Sequence, residues 1–267
     1  KAGLNMVGLI LEPLASAASA LDPQEKEAGV VLVDIGGGTT DIAIFYKDVI
    51  RHTAVIPFGG NIVTKDIEEG CHIMPKQAEL LKVKFGSALA VDVKDNQIVS
   101  IPGVKGRPSK EISVKNLANI INSRVEEIFE QVYFEIKASG YSKKLRAGIV
   151  LTGGGSQLRS IKQLVEYVTG LDARIGQPLE NLANGFNPDL KSPIYATSLG
   201  LLKRAEYEME ETKIPAVVEI ETPPAILEEK EEELIKNIEN RPVRNWWKNI
   251  VGRFPDWLMD DEDKEYE

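Results

Sequence analysis

The chain has 267 residues, with 32 basic and 41 acidic side chains and a formal net charge of −9. This acidic balance argues against a nucleic-acid partner, which requires a basic surface. Cys71 is the only cysteine, so a disulfide framework and a thiolate metal cluster are both excluded. The sequence has no apolar run of membrane-spanning length, and it begins at Lys1 without a signal-peptide pattern, so we expect a fragment.

The first part of the chain predicts a helix and then a β-meander. Small residues after Glu12 and Pro13 predict a closely packed helix. Asp22 and the charged residues that follow it predict a loop. Alternating apolar residues and short connections then predict three antiparallel strands, at residues 30–35, 41–46 and 49–56.

The middle of the chain predicts helices on either side of short β-like pieces. Helices are expected at residues 61–70, after Pro75, and at residues 114–138, where apolar residues follow a helical period. The β-like pieces are VDVKD and QIVSIPG, within residues 90–113. Residues 147–151 predict a buried strand, which TGGGS and an amphipathic helix follow, and residues 193–205 predict a last helix. Residues 206–242 predict a flexible acidic linker.

The motif DIGGGTTD, residues 34–41, lies between the first two predicted strands. It lacks the lysine of a Walker loop, and a strand follows it rather than the helix of a Rossmann turn. A hairpin tip of this kind exposes backbone N–H groups that phosphate oxygens can approach, and Thr39 and Thr40 add hydroxyls. Asp34 would repel a bare phosphate, but it could orient water on a bound Mg²⁺. The alternative is a glycine-rich hairpin with solvated acids.

Two weaker motifs could complete a ligand site. TGGGS, residues 152–156, offers bare backbone and a helix N-terminus to a flat or anionic ligand, although such turns are common. Glu79, Lys82 and Gly86 are spaced i, i+3 and i+7, so one helix face presents an acid, an amine and a gap. That face could hold ribose and the purine edge. The alternative is a surface ion pair.

Four blocks in this order, DIGGGTTD, FGGNIVTKDI, AELLKVKFGSAL and GIVLTGGGSQL, resemble the actin-like ATPase superfamily. Within it, GLILEPLASAASAL, RHTAVIPFGGN, PGVKGRPSK and YATSLGLLKRA resemble the FtsA family of bacterial cell division proteins. The resemblance implies an actin-like, ribonuclease H-like α/β ATPase fold, represented by its second lobe. It implies a core subdomain at residues 1–60 and 141–205 and an inserted subdomain at residues 61–140.

The resemblance also implies ATP and Mg²⁺ as cofactors and assigns the residues that bind them. Asp34 would be the catalytic position and would hold Mg²⁺ through water. The second phosphate loop would be Gly36, Gly37, Gly38, Thr39 and Thr40. The segment near the γ-phosphate would be Gly59, Gly60 and Asn61, and the adenosine side would be Glu79, Lys82, Val83, Gly86, Gly153, Gly154 and Gly155. The family's first phosphate loop, an Asp-x-Gly-Thr hairpin, is absent from the sequence, so we expect half of the nucleotide clamp here.

The end of the chain predicts an amphipathic membrane-targeting helix at residues 243–259. Its apolar stripe consists of Trp246, Trp247, Ile250, Val251, Phe254, Trp257 and Leu258. Indole groups favour the lipid headgroup zone, so the stripe predicts an interfacial helix rather than a span. The alternative is a helix that docks on its own domain or in a partner groove. Pro255 should kink or end this helix, and anionic lipid should repel the acidic residues 260–267, so apolar insertion would carry the affinity.

The resemblance implies a protein that tethers FtsZ filaments to the cytoplasmic side of the bacterial inner membrane at the division site. Residues 61–140 would receive the FtsZ C-terminal peptide, and the protein would form actin-like filaments and recruit later division proteins. ATP would act mainly as a conformational and polymerisation ligand, with slow hydrolysis at most. Two alternatives stay open at this point: an actin-fold phosphotransferase and another actin-like assembly ATPase.

Overall fold

A computed structural model describes Gly3, Met6 and residues 8–103, 108–178 and 187–211. The chain divides into two units, Lys1–Lys213 and Ile214–Glu267, and every described residue belongs to the first. The predicted tail helix at residues 243–259, the acidic residues 260–267 and the linker beyond residue 211 lie outside the described residues.

The described residues form seven strands and seven α-helices. The strands are β1 (Val30–Ile35), β2 (Thr40–Tyr46), β3 (Val49–Ile56), β4 (Ile98–Ile101), β5 (Lys110–Ser113), β6 (Ile149–Thr152) and β7 (Ala173–Ile175). The helices are α1 (Glu12–Ala20), α2 (Pro23–Ala28), α3 (Gly60–Cys71), α4 (Pro75–Phe85), α5 (Val114–Ala138), α6 (Ile161–Thr169) and α7 (Ala196–Glu211).

Five strands form the central sheet, in the order β3-β2-β1-β6-β7, and β4 pairs with β5 in a separate hairpin. The predicted meander is confirmed, because β1 pairs antiparallel with β2 and β2 pairs antiparallel with β3. β6 adds to β1 in parallel, and β7 adds to β6 in parallel. The sheet is therefore antiparallel on one side of β1 and parallel on the other.

Helices cover both faces of β1, which is why all of its residues are apolar except Asp34 at its end. Successive side chains alternate between the faces. Val31 and Val33 belong to a cluster that continues into α3, α4, α5 and α6, whereas Val30 and Leu32 pack in a second cluster with α1. One core thus joins the sheet to residues 61–140, and the predicted subdomain boundaries stay a prediction.

Small residues allow α1 and α7 to pack closely. A Cβ atom added at Gly200 of α7 would lie 1.7 Å from the Ala15 carbonyl oxygen of α1. Ser19 of α1 donates a hydrogen bond to the Ala196 carbonyl at 2.6 Å. The predicted close packing of the first helix is confirmed, and its partner is α7.

Several local predictions are wrong. The stretch after Asp22 is the helix α2 rather than a loop, because the Asp22 side chain accepts from Gln24 N and Glu25 accepts from Asp22 N. The VDVKD piece begins with a 3₁₀ turn at Ala90–Asp92, and β5 and β7 were not predicted. The last helix continues to Glu211, past the predicted linker start at residue 206.

Within the described residues, the helices are too short or too polar to cross a bilayer.

Candidate functional site

The parallel pairing of β1 with β6 brings the two glycine loops together. Asp34 lies opposite Thr152 in the ladder, so residues 36–39 and 153–157 leave the sheet side by side at its carboxyl edge. These loops, the start of α3 and one side of α4 enclose a cleft of about 580 Å³. Ligand pockets for small molecules commonly have volumes of this order.

Residues from all four predicted segments line this cleft. They are Gly36, Gly37, Gly59, Gly60, Asn61, Glu79, Lys82, Val83, Gly86, Gly154 and Gly155. The other predicted positions do not line it: Asp34, Gly38, Thr39, Thr40 and Gly153. The structure therefore brings the predicted segments together and separates some of their members from the cleft.

The first glycine loop holds the start of α3. The amides of Gly60 and Asn61 donate to the carbonyl oxygens of Gly36 (2.9 Å) and Gly37 (2.8 Å). A Cβ atom added at Gly59 would lie 2.6 Å from the Gly36 oxygen, so only glycine allows this approach. The two segments form one wall of the cleft.

The tip of the first loop presents unpaired amides. The Gly36 amide donates to the Thr39 carbonyl at 2.9 Å and closes the turn. Among the described residues, no acceptor takes the amide hydrogens of Gly37, Gly38 and Thr39. A Cβ atom added at Gly38 would meet nothing within 4 Å, so the space before the tip is open. Adjacent free amides of this kind attract an anion.

The hydroxyls of the two threonines have other partners in this structure. Thr39 is exposed, and its hydroxyl donates to Asp41 Oδ2 at 3.0 Å. Thr40 is fully buried, and its hydroxyl donates to the Phe58 carbonyl at 2.8 Å. The predicted role of Thr40 as a phosphate donor is not supported, because this bond instead fastens β2 to the segment before α3.

Asp34 lies outside the cleft lining. The residue is 8% exposed, and Oδ2 accepts from Ser16 of α1 at 2.7 Å and from Thr197 of α7 at 3.3 Å. Burial raises the pKa of Asp34; the two hydrogen bonds offset part of this rise, and the charge of Asp41 adds to it. Metal binding by Asp34 through water would have to compete with these two hydroxyls.

Glu79 and Lys82 form an ion pair that also lines the cleft. Lys82 Nζ lies 2.7 Å from Glu79 Oε2 and donates to the Gly60 carbonyl and to Thr64 Oγ1, each at 2.8 Å. The Thr64 hydroxyl donates to Glu79. Burial alone would raise the pKa of Glu79, but the hydrogen bonds from Lys82 and Thr64 and the charge of Lys82 outweigh it and lower this pKa. The ion pair posed as one alternative for this motif is therefore present, and it lines the cleft; the binding of ribose and the purine edge by this face stays a prediction.

The second glycine loop is a tight backbone crossing. Gly153 has φ +79°, and a Cβ atom added there would lie 2.3 Å from Asp34 Oδ1. A Cβ atom added at Gly154 would meet only Ile194, at 3.9 Å, so this position leaves the cleft open. The chain then forms a 3₁₀ turn, Gly154–Gln157, and α6 begins only at Ile161. The predicted helix N-terminus directly after the glycines is therefore wrong.

An apolar wall of the cleft was not predicted. It includes Val125, Ile128, Phe129, Leu158, Ile161 and Ile194. Most of these residues belong to predicted amphipathic stripes, and periodicity alone cannot distinguish a core position from a cavity wall. Gln157, Arg159 and Lys84 line the polar rim, and no motif identified them.

A family model described as "Cell division protein FtsA" matches residues 31–200, and one described as "Hsp70 protein" matches residues 1–49. The chain belongs to the FtsA family. Cell division protein FtsA of Pseudomonas aeruginosa is 43% identical over 202 residues, which are 76% of this chain and 48% of that protein. FtsA of Escherichia coli K12 is 39% identical over 209 residues (76% and 49%), and FtsA of Bacillus subtilis is 34% identical over 205 residues (77% and 45%). The chain thus spans about half the length of its FtsA relatives.

Solved structures confirm the actin-like fold. MreB5 of Spiroplasma citri bound to ADP has a TM-score of 0.62 at 22% identity, over 80% of this chain and 64% of that one. The MamK double helical filament has a TM-score of 0.53 at 18% identity, over 73% of this chain and 58% of that one. These likenesses establish the fold only.

The predicted membrane residues lie outside the described part of the chain. They are Trp246, Trp247, Ile250, Val251, Phe254, Trp257 and Leu258.

Proposed function

We propose that this FtsA-family chain forms one wall of an ATP site in an actin-like cell division protein. The observation that carries the proposal is the single cleft lined by both glycine loops, the start of α3 and the Glu79–Lys82 pair. The actin-like relative MreB5 was solved with ADP and also with AMPPNP. In the proposed arrangement, the free amides of residues 37–39 hold phosphate oxygens, and the apolar wall receives the adenine.

The acidic surroundings of Asp34 favour a nucleotide that carries Mg²⁺. Burial raises the pKa of Glu12, and the charges of Asp41 and Asp34 raise it further, so three carboxylates share this region. They would repel a bare triphosphate, and Mg²⁺ would neutralise part of its charge. The described residues contain no cluster of three side chains suited to hold a metal by itself, so the phosphates would supply ligands. We keep Asp34 as the residue that orients metal-bound water.

Photolabelling of the full chain with 8-azido-ATP and Mg²⁺ tests the site, because it reports where a weakly held nucleotide lies. We expect labelled peptides from the cleft lining, around Val83, Gln157 and Ile194, and we expect excess ATP to suppress the labelling. Gly154→Val should reduce labelling at least about fivefold, because its side chain would fill open space in the cleft without striking the fold.

Ser100→Val is the matched control, since it adds a valine at an exposed β4 position outside the cleft. It should leave the labelling unchanged. Labelling that maps elsewhere, or that Gly154→Val leaves intact, would refute the ATP site.

The wider role that we propose is the tethering of FtsZ filaments to the cytoplasmic side of the inner membrane at the division site. Residues 61–140 would receive the FtsZ C-terminal peptide, the stripe at residues 243–259 would contact the membrane, and later division proteins would be recruited. Self-association into a filament is part of the proposal, and it is supported by the actin-like fold shared with the MamK filament. ATP would act mainly on conformation and polymerisation, with slow turnover at most.

A further inference from the structure

A second concave site lies at the opposite end of β1 from the ATP cleft. It has a volume of about 320 Å³ and is lined by Glu27, Ala28, Tyr46, Lys47, Lys143, Lys144 and Arg146, here called the basic cup. β1 has six residues, so the basic cup lies roughly 20 Å from the glycine loops. Nothing in the proposed nucleotide site uses these residues.

The basic cup concentrates positive charge in a chain whose net charge is −9. Among the described residues, none of its four cations forms an ion pair. Lys144 Nζ lies 5.4 Å from the centre of the Tyr46 ring and 5.0 Å from that of Tyr141. Lys47 Nζ lies 5.8 Å from the Tyr46 ring centre. Two of the four cations, Lys47 and Lys144, therefore lie beside aromatic rings.

The backbone under the basic cup is tightly fixed. Gly29 has φ +103°, and a Cβ atom added there would lie 2.0 Å from the Lys144 carbonyl oxygen. The Ala147 amide donates to the Gly29 carbonyl at 2.9 Å, and the Lys47 amide donates to the Glu27 carbonyl at 3.2 Å. Three separate segments are thus joined, so the cations are presented on a rigid base.

We infer that the basic cup binds an acidic polypeptide segment of a partner protein. The cations come from two separate segments, the β2–β3 turn and residues 143–146, so they are spread along the lining of the cup and suit carboxylates spaced along a chain. A compact polyphosphate would bring its charges next to Glu27. A bilayer surface is flat and does not enter a concave site, and nucleic acid needs a longer basic track than one cup provides.

Fluorescence anisotropy of the full chain with fluorescein-labelled hexaglutamate tests this inference. We expect saturable binding that weakens as salt increases. Lys143→Gln with Lys144→Gln should weaken it about tenfold, because two exposed charge pairs are lost. Lys76→Gln with Lys191→Gln removes the same charge from exposed positions outside the basic cup, and it should change the affinity less than about twofold.

Three results would overturn the inference. Equal weakening by the two double variants would show only general attraction to a charged peptide. Displacement of hexaglutamate by inorganic pyrophosphate at equal or lower concentration would indicate a phosphate site. Binding to anionic vesicles that needs Lys143 and Lys144 in the Trp246→Asp, Trp247→Asp background, together with no hexaglutamate binding, would indicate a lipid site. Circular dichroism and thermal unfolding confirm that each variant is folded, and none of these results bears on the ATP cleft.

Discussion

At the scale of single residues, Glu79 shows how one side chain serves both the fold and the cleft. Its pKa is lower in the folded protein than in the unfolded chain, so the ionised carboxylate stabilises the folded state. This stabilisation is fully present above the pKa of the unfolded chain, near 4.5. The stabilisation is lost as the pH falls through the lower pKa that Glu79 has in the folded protein. We expect Glu79→Gln to reduce the free energy of unfolding at pH 7 by less than about 1 kcal/mol, because a half-exposed ion pair is screened. Urea denaturation from neutral to acidic pH should show the difference shrinking below pH 4.5.

Glu130→Gln, at an exposed position of α5, controls for the loss of one negative charge. A difference between Glu79→Gln and the unmodified chain that stays constant from neutral to acidic pH would contradict the link between ionisation and stability.

At the scale of secondary-structure elements, helix propensity and close packing have opposite effects on stability at the α1–α7 contact. Replacing an interior helix glycine with alanine normally stabilises a protein by about 1 kcal/mol. At Gly200, however, the new Cβ atom would lie 1.7 Å from the Ala15 carbonyl oxygen. We expect overpacking to dominate, so Gly200→Ala should destabilise the fold by about 1–3 kcal/mol, measured by urea denaturation.

Ser198→Ala, at an exposed position of the same helix, should change stability by no more than about 0.5 kcal/mol. A stabilising Gly200→Ala substitution would show that α7 does not pack on α1 at this distance.

At the scale of the whole molecule, the proposed membrane contact has to overcome the negative charge of the chain. The net charge is −9 and residues 260–267 are mostly acidic, so apolar insertion must supply the affinity. We expect the full chain to co-sediment with zwitterionic vesicles with little dependence on salt. Trp246→Asp with Trp247→Asp should reduce the bound fraction at least about tenfold, because charged groups do not enter the apolar region.

Lys248→Gln with Arg253→Gln is the control, because it removes two cations from the same segment. It should reduce the bound fraction by less than about threefold. The FtsZ C-terminal peptide should sediment with vesicles only when the unmodified chain is present. Vesicle binding that survives the tryptophan substitutions would remove the membrane contact from the proposal.

The local pattern of the sequence was sufficient to predict most of the longer helices and strands. The strands of the meander, α3, α4 and α5 follow their predicted ranges within a residue or two, because apolar period and turn residues act over short distances. The two glycine loops could be selected for the same reason, because bare backbone next to an acid or a hydroxyl is visible in the sequence itself, whereas Gly59, Gly60 and Asn61 were assigned only through the family resemblance.

Contacts between distant segments decided the rest. β7 is a strand because its backbone pairs with β6. It has only three residues, and an apolar pattern of that length does not distinguish a strand from a loop. Thr40 and Asp34 lie outside the cleft lining, and their side chains bond to Phe58, Ser16 and Thr197, which are far along the chain. The sequence alone thus indicated which types of residue could contact a nucleotide. Tertiary structure decided which of them face the cleft, because burial and hydrogen bonding are satisfied between segments and not within them.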